Sequence, residues 1–161
     1  MGAVLALWPF IAALSPPDDI RAKRIVFNLA DLQQNAPSLV EVGRRAVMVF
    51  RRTPEELVLL RNPPEPLGER AVLNSREPEA ARNWHRSLKA EIAVFNATCT
   101  RGDCVVKRFA ATEPELKCPC CGSRFDLAGR VLSGPASRNL DVPPYEFVGD
   151  DAIAFPEYAT G

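Results

Sequence analysis

All five cysteines of this 161-residue chain fall between positions 99 and 121. They lie in two short segments, Cys99-Thr100-Arg101-Gly102-Asp103-Cys104 and Cys118-Pro119-Cys120-Cys121-Gly122-Ser123. Structural thiols scattered through a core do not bunch in this way. The clustering therefore predicts a local metal site, a disulfide, or both. The odd number means that disulfides alone cannot use every cysteine.

The rest of the composition sets the frame. The length suits one domain with a short appendage. A chain with 47% hydrophobic and 25% charged residues can bury a proper core. Fifteen prolines and nine glycines favour a loop-rich β protein over a helix bundle. Lys+Arg and Asp+Glu are equal at 20 each, so no global field attracts nucleic acid, and no nucleic-acid partner is expected. No Ser/His/Asp set, phosphate-cradling glycine loop or paired-carboxylate motif argues for independent enzymology.

Residues 2–14 are apolar, and Ser15-Pro16-Pro17-Asp18-Asp19 ends the run abruptly. The run is shorter than the ~20 residues that span a bilayer. It reads as the outer part of a membrane anchor over 1–15, followed by a stiff proline hinge over 16–22 and a folded domain over 23–161. A buried N-terminal segment or a signal-peptide core is the alternative.

Strands are expected at Arg24-Ile25-Val26-Phe27-Asn28, at 46–51 and at 91–97, the last running straight into Cys99. Val105-Val106 reads as another strand leaving the first cysteine segment. Hairpins are expected over 125–131, turning at Ala128-Gly129, and over 145–155, turning at Gly149-Asp150. Thr53, Pro54, Glu55 and Glu56 have the chemistry of a helix start, and Asn62-Pro63-Pro64 terminates that helix. Residues 62–88 read as a long surface loop with some helix around 77–83.

Several stretches are specific to a family. They are Arg51-Arg52-Thr53-Pro54-Glu55-Glu56, Arg86-Ser87-Leu88, Gly129-Arg130-Val131, Gly134-Pro135-Ala136 and Asn139-Leu140-Asp141-Val142-Pro143-Pro144-Tyr145-Glu146-Phe147. With the two cysteine segments they make the chain resemble the Rieske iron–sulfur subunit of bacterial ubiquinol–cytochrome c reductase. The resemblance covers nearly the whole chain. It implies a mainly β fold: a Rieske-type antiparallel β-sandwich with a small cluster-binding subdomain at about 97–138. A short helical insertion and an N-terminal partial membrane-anchor helix complete the expected architecture. It also implies a 2Fe-2S cluster, a quinol pocket, and cytochrome b and a c-type cytochrome as partners in respiratory electron transfer. The location implied is the inner membrane, with the domain on the periplasmic side. No export signal is visible ahead of Gly2, so that location rests on the resemblance alone.

At the cysteines the resemblance is incomplete. The family reads Cys-Thr-His-Leu-Gly-Cys and Cys-Pro-Cys-His-Gly-Ser. Cys99 and Cys118 match its two thiolate ligands, and Cys104 and Cys120 match its disulfide. Arg101 and Cys121 stand where the family has its two histidines. A guanidinium stays protonated and offers no lone pair, so Arg101 cannot ligate iron or accept a proton from quinol. Cys121 is a competent thiolate ligand, or else a free thiol or another disulfide partner. His85 is the only histidine of the chain and lies outside both segments. Gly102 replaces a leucine that packs towards the quinone pocket. Phe125 replaces a tyrosine whose hydroxyl bonds a cysteine sulfur. Ser123 retains its hydroxyl, and Gly134-Pro135 retain the start of the loop that covers the site.

These changes bear on the chemistry. Rieske centres as a class lie at about −150 to +300 mV, against about −400 mV for plant-type all-cysteine clusters. A fall of about 500 mV corresponds to about 12 kcal/mol per electron. Ordinary quinol oxidation is therefore not expected. Three states of the site stay open. One is bridged and empty, leaving a structural or interaction subunit. One holds an altered two-iron cluster through Cys99, Cys118 and Cys121, with Asp103 a weak candidate for the fourth ligand. In the third, the bridge is absent and zinc binds Cys99, Cys104, Cys118 and Cys121.

Overall fold

The computed structural model of the chain describes residues 24–33, 36–64, 67, 76–110 and 112–156. The anchor and hinge expected over 1–22 lie outside the described residues. Among the described residues, no helix is long and apolar enough to cross a membrane.

Among the described residues, nine strands form three antiparallel three-stranded sheets. The central sheet has the order β2-β3-β4, from Ser38–Val42, Arg45–Arg51 and Ile92–Asn96. The terminal sheet has the order β1-β9-β8, from Ile25–Asn28, Ala152–Phe155 and Glu146–Val148. The third sheet has the order β5-β6-β7, from Glu115–Lys117, Arg124–Asp126 and Val131–Ser133. This third sheet lies in the cysteine-bearing part of the chain.

The central sheet carries the core. β3 pairs with β4 so that Met48 faces Phe95 and Val49 faces Val94 across the ladder. Met48, Val49, Phe50, Ala93, Val94 and Phe95 are all buried. Continuous burial along both strands means that both faces of this sheet are covered, which suits their run of β-branched and aromatic residues. Between β3 and β4 lies a helix, α1, at Pro54–Arg61. Thr53 caps it: its Oγ1 accepts from the Glu56 amide, and the Glu56 carboxylate accepts from the Thr53 amide. Thr53 is the N-cap expected from the sequence, and the bond back from Glu56 completes a capping box. The Glu56 carboxylate also makes a buried ion pair with Arg108, on the segment that leaves the first cysteine loop.

Three expectations need correction. Val105-Val106 is not a strand; only isolated bridges, Thr98 to Val105 and Lys107 to Lys117, hold that segment. The helix expected around 77–83 shrinks to one 3-10 turn at Glu79–Ala81. The segment before β4 is also not simply surface, because Arg86 and Ser87 are buried.

Arg86 and Arg52 explain that burial. Both guanidiniums are desolvated and both donate to backbone carbonyls. Arg52 donates through Nε to the Leu127 carbonyl (2.9 Å) and through Nη1 to the Ala90 carbonyl (2.7 Å) and Ser87 Oγ (3.0 Å). Arg86 donates to the carbonyls of Ala128 (2.9 Å) and Leu140 (2.8 Å) and pairs with Glu77 (2.9 Å). Both guanidinium carbons lie about 6 Å from the Phe95 ring centroid, at 5.8 and 5.9 Å. Burial pulls Arg52 down to about 10, and it lowers Arg86 too, yet both stay charged at neutral pH. The turn they hold passes through Gly129 at φ +71°, where an added Cβ would meet Arg86 Nη1 and Leu140 Cβ at 3.2 Å. Arg86 itself sits at φ +49°, the one described non-glycine residue with positive φ. That conformation costs on the order of 1 kcal/mol and persists because its side chain is fixed at three points.

Replacing Arg86 with alanine leaves Glu77 and two carbonyls unpaired. We expect Arg86→Ala to lower unfolding free energy by about 3 kcal/mol or more in urea titration, with no rescue by Arg86→Lys, whose ammonium cannot span the same acceptors.

Candidate metal centre

The two cysteine segments meet because two separate devices hold them together. A disulfide joins Cys104 to Cys120, with Cα atoms 6.3 Å apart. The bridge between Lys107 and Lys117 aligns the segments that flank the two loops. Each loop is also closed on itself by backbone bonds. The Cys99 amide donates to the Cys104 carbonyl, and the Cys118 amide donates to the Ser123 carbonyl, both at 2.8 Å.

The three remaining cysteines converge. The sulfurs of Cys99, Cys118 and Cys121 all lie within 4.8 Å of one another, and Cys99 to Cys121 is 3.7 Å. Cys99 and Cys118 are buried, while Cys121 is half-buried. No other group of three or more histidine, cysteine or carboxylate side chains is placed to share an ion among the described residues.

Ser123 is the hinge of the local network. It is fully buried, and its Oγ accepts from the Ala136 amide at 2.9 Å. That leaves the hydroxyl proton free to donate to Cys121 Sγ, 3.1 Å away. The Ser123 hydroxyl and then its backbone amide stabilise the thiolate, drawing Cys121 down to about 7. Cys99 goes the other way: burial, with the neighbouring thiols adding to it, pushes its thiol up to about 12, against an opposing backbone bond from Arg101. Two adjacent thiols are thus driven apart in acidity by their surroundings.

The loop starting at Gly134 covers Ser123. Gly134 has φ +93°, and an added Cβ would lie 2.6 Å from Ser123 Cα, so only glycine allows this approach. Pro135 follows it on the surface, and Ala136 is buried beneath. Beyond them the covering loop ties to the first cysteine loop. Thr100 Oγ1 donates to the Arg138 carbonyl (2.5 Å), and Ser137 Oγ donates to the Thr100 carbonyl (3.1 Å). Phe125 is fully buried in β6 opposite Leu116, where it packs and has no hydroxyl to offer a sulfur.

Arg101, Gly102 and Asp103 are exposed at the tip of the first loop. They line a cleft of about 740 Å³ that also takes in Cys99, Arg138 and Asp141. His85 is not part of the site. Its Nδ1 lies 2.8 Å from Ser87 Oγ and its ring packs edge-on to Trp84. Burial, and then the charge of Arg52, lowers its basicity.

The Rieske [2Fe-2S] domain family matches residues 23–146. The chain belongs to the Rieske family. The ubiquinol-cytochrome c reductase iron-sulfur subunit of Rickettsia conorii is 32% identical over 156 residues, 95% of this chain and 83% of that protein. The subunit of the same name from Rhodospirillum rubrum is 32% identical over 159 residues, covering 95% and 82%. The mitochondrial cytochrome b-c1 complex subunit Rieske of Chlorocebus aethiops is 32% identical over 145 residues; the chain spans 50% of its length. Among solved structures, a chain of a hyperthermophilic respiratory Complex III superposes with TM-score 0.54 at 16% identity, covering 94% of this chain and 90% of that one. That likeness concerns the fold.

The family's cofactor is a two-iron cluster held by two cysteines and two histidines. The donors present here do not fit it. Cys99 and Cys118 are in place, but the chain has one histidine and it lies elsewhere. Cys121 sits 3.7 Å from Cys99. At that distance Cys121 and Cys99 are close enough to share one ion.

Sequence reasoning brought together the thiols, the disulfide, Ser123 and the covering loop. It missed Thr100 as a latch to the covering loop. The hydroxyl and its place one residue after Cys99 were the only signals, and neither specifies a partner.

In metal-free protein the alkylation rate of Cys121 should rise with a midpoint near pH 7, and Ser123→Ala should move that midpoint upward. The sign follows from what the hydroxyl does: it stabilises the thiolate, so its loss favours the thiol. A midpoint unmoved by Ser123→Ala, read by mass spectrometry of the labelled peptide, contradicts the assignment.

Proposed function

We propose that this chain is the Rieske-type subunit of a ubiquinol–cytochrome c reductase in respiratory electron transfer, with a site altered so that ordinary quinol oxidation does not occur there. The observation that carries this reading is a Rieske scaffold whose thiol site contains no histidine. A histidine ligand both raises the cluster potential and accepts the quinol proton. Arg101 does neither, and Cys121 brings a negative charge that would lower the potential of any iron beside it.

The reading extends to partners and place. Cytochrome b and a c-type cytochrome are the partners, by likeness to the bacterial relatives, and the segment over 1–15 anchors the chain in the inner membrane. The Cys104–Cys120 disulfide supports a periplasmic domain, because such bonds persist in oxidising compartments. Without a working redox centre, the chain serves its complex as a structural and docking subunit.

The test is the complex purified with this chain in place, compared with the double variant Arg101→His and Cys121→His. The wild type should lack both the Rieske electron paramagnetic signal and quinol-dependent cytochrome c reduction through this subunit. The double variant should take up two irons and two labile sulfides and gain the signal. A wild-type subunit that carries a reducible two-iron cluster and turns over quinol would overturn the proposal.

A further inference from the structure

The three converged thiols suit a different occupant. We infer that Cys99, Cys118 and Cys121 form a mononuclear site for one thiophilic metal ion, zinc(II) or copper(I), with its remaining coordination position open to solvent. The inference rests on the reading that the ordinary two-iron cluster is not made here.

Geometry is the first argument. With metal–sulfur bonds of about 2.3 Å, tetrahedral coordination sets neighbouring sulfurs about 3.8 Å apart. Cys99 and Cys121 are at 3.7 Å, and Cys118 lies within 4.8 Å of both. Closing the third corner needs only small side-chain movement. The set is thiolate only, which selects soft and borderline ions over magnesium or calcium.

The surroundings are the second argument. Cys104 and Cys120 are committed to each other, so they cannot complete a four-cysteine site. Three protein ligands with an open fourth position is therefore the arrangement the fold leaves. Cys99 and Cys118 form the buried floor and Cys121 the half-exposed edge, so an ion enters from the Cys121 side. The Ser123 hydroxyl at 3.1 Å from Cys121, itself fixed by the Ala136 amide, orients that edge from outside the coordination sphere. Binding replaces thiol protons, which pass to solvent, so no change of oxidation state is involved.

The full chain is tested without reductant under anaerobic conditions, so that the disulfide survives. It is titrated with zinc(II) against a chromophoric zinc chelator, and separately with copper(I) against a copper(I) chelator. The two arms decide which ion the site prefers. We expect one ion per chain and slowing of alkylation at Cys99, Cys118 and Cys121 by at least about tenfold. Cys121→Ser, at a half-exposed position that need not disturb the core, should weaken binding at least about a hundredfold, and Ser123→Ala about tenfold. Binding that withstands Cys121→Ser overturns the inference. So does a chain that binds neither ion while its three thiols titrate as free, or one that carries a Cys99–Cys121 disulfide instead. Those results leave the loss of the cluster standing. Two irons with two labile sulfides would overturn the inference, and quinol turnover on that cluster would overturn the proposed function with it.

Discussion

Two buried guanidiniums hold the cysteine-bearing half of this protein against its central sheet. Arg52 leaves the end of β3 and Arg86 precedes β4, and both reach the turn between β6 and β7. Each gives up solvation and takes one carbonyl of that turn, Arg52 at Leu127 and Arg86 at Ala128, while Arg52 Nη2 stays buried without a partner. A buried charge left unpaired costs several kcal/mol, so the turn cannot drift without penalty. Phe95 lies beside both cations and Gly129 lets the turn approach closely enough. The position of β6 and β7 follows from that clamp, and the position of Cys118, Cys121 and Ser123 follows from β6.

A second set of constraints works within the cysteine loops and does not involve the clamp. The disulfide, the two short backbone closures and the lacing of Thr100 to the covering loop fix both loops before any ion arrives. A bridge closing a loop of roughly this length contributes about 3 kcal/mol on the chain-entropy view. Such a site is preorganised by covalent and backbone bonds rather than by its ligands. The shape of the loops therefore does not depend on which side chains stand at positions 101 and 121.

Much of this was legible in the sequence. Runs of β-branched and aromatic residues marked β1, β3 and β4, and glycine-containing turns marked the hairpins of β6–β7 and β8–β9. Thr53 to Glu56 announced α1, because a capping box is local chemistry that needs no tertiary partner. β2 and β5 were not legible: Ser38–Val42 and Glu115–Lys117 are short, half-polar segments whose pairing comes from neighbours far along the chain. The same reason explains Val105-Val106, whose β-forming side chains had no continuous partner to pair with. Burial of Arg86 was hidden as well. An arginine in a polar, proline-containing stretch looks solvated until the carbonyls it serves are known. At the site, spacing was enough to bring the five cysteines together. It could not show how near Cys121 stands to Cys99, since that depends on the Gly122 turn and the Ser123 bond.

That nearness changes what the substitution at position 121 means. A cysteine in place of a histidine could be read as a ligand swap that keeps the cluster and shifts its potential. Histidine reaches further from the backbone than cysteine. With the shorter side chain, Cys121 stands beside the first ligand instead, and Arg101 cannot supply the missing donor because its nitrogens have no free lone pair. The two replacements therefore act together. Arg101 offers no lone pair to a metal, and Cys121 places its sulfur 3.7 Å from that of Cys99. The scaffold is held by the arginine clamp and the disulfide, and neither Arg101 nor Cys121 takes part in either.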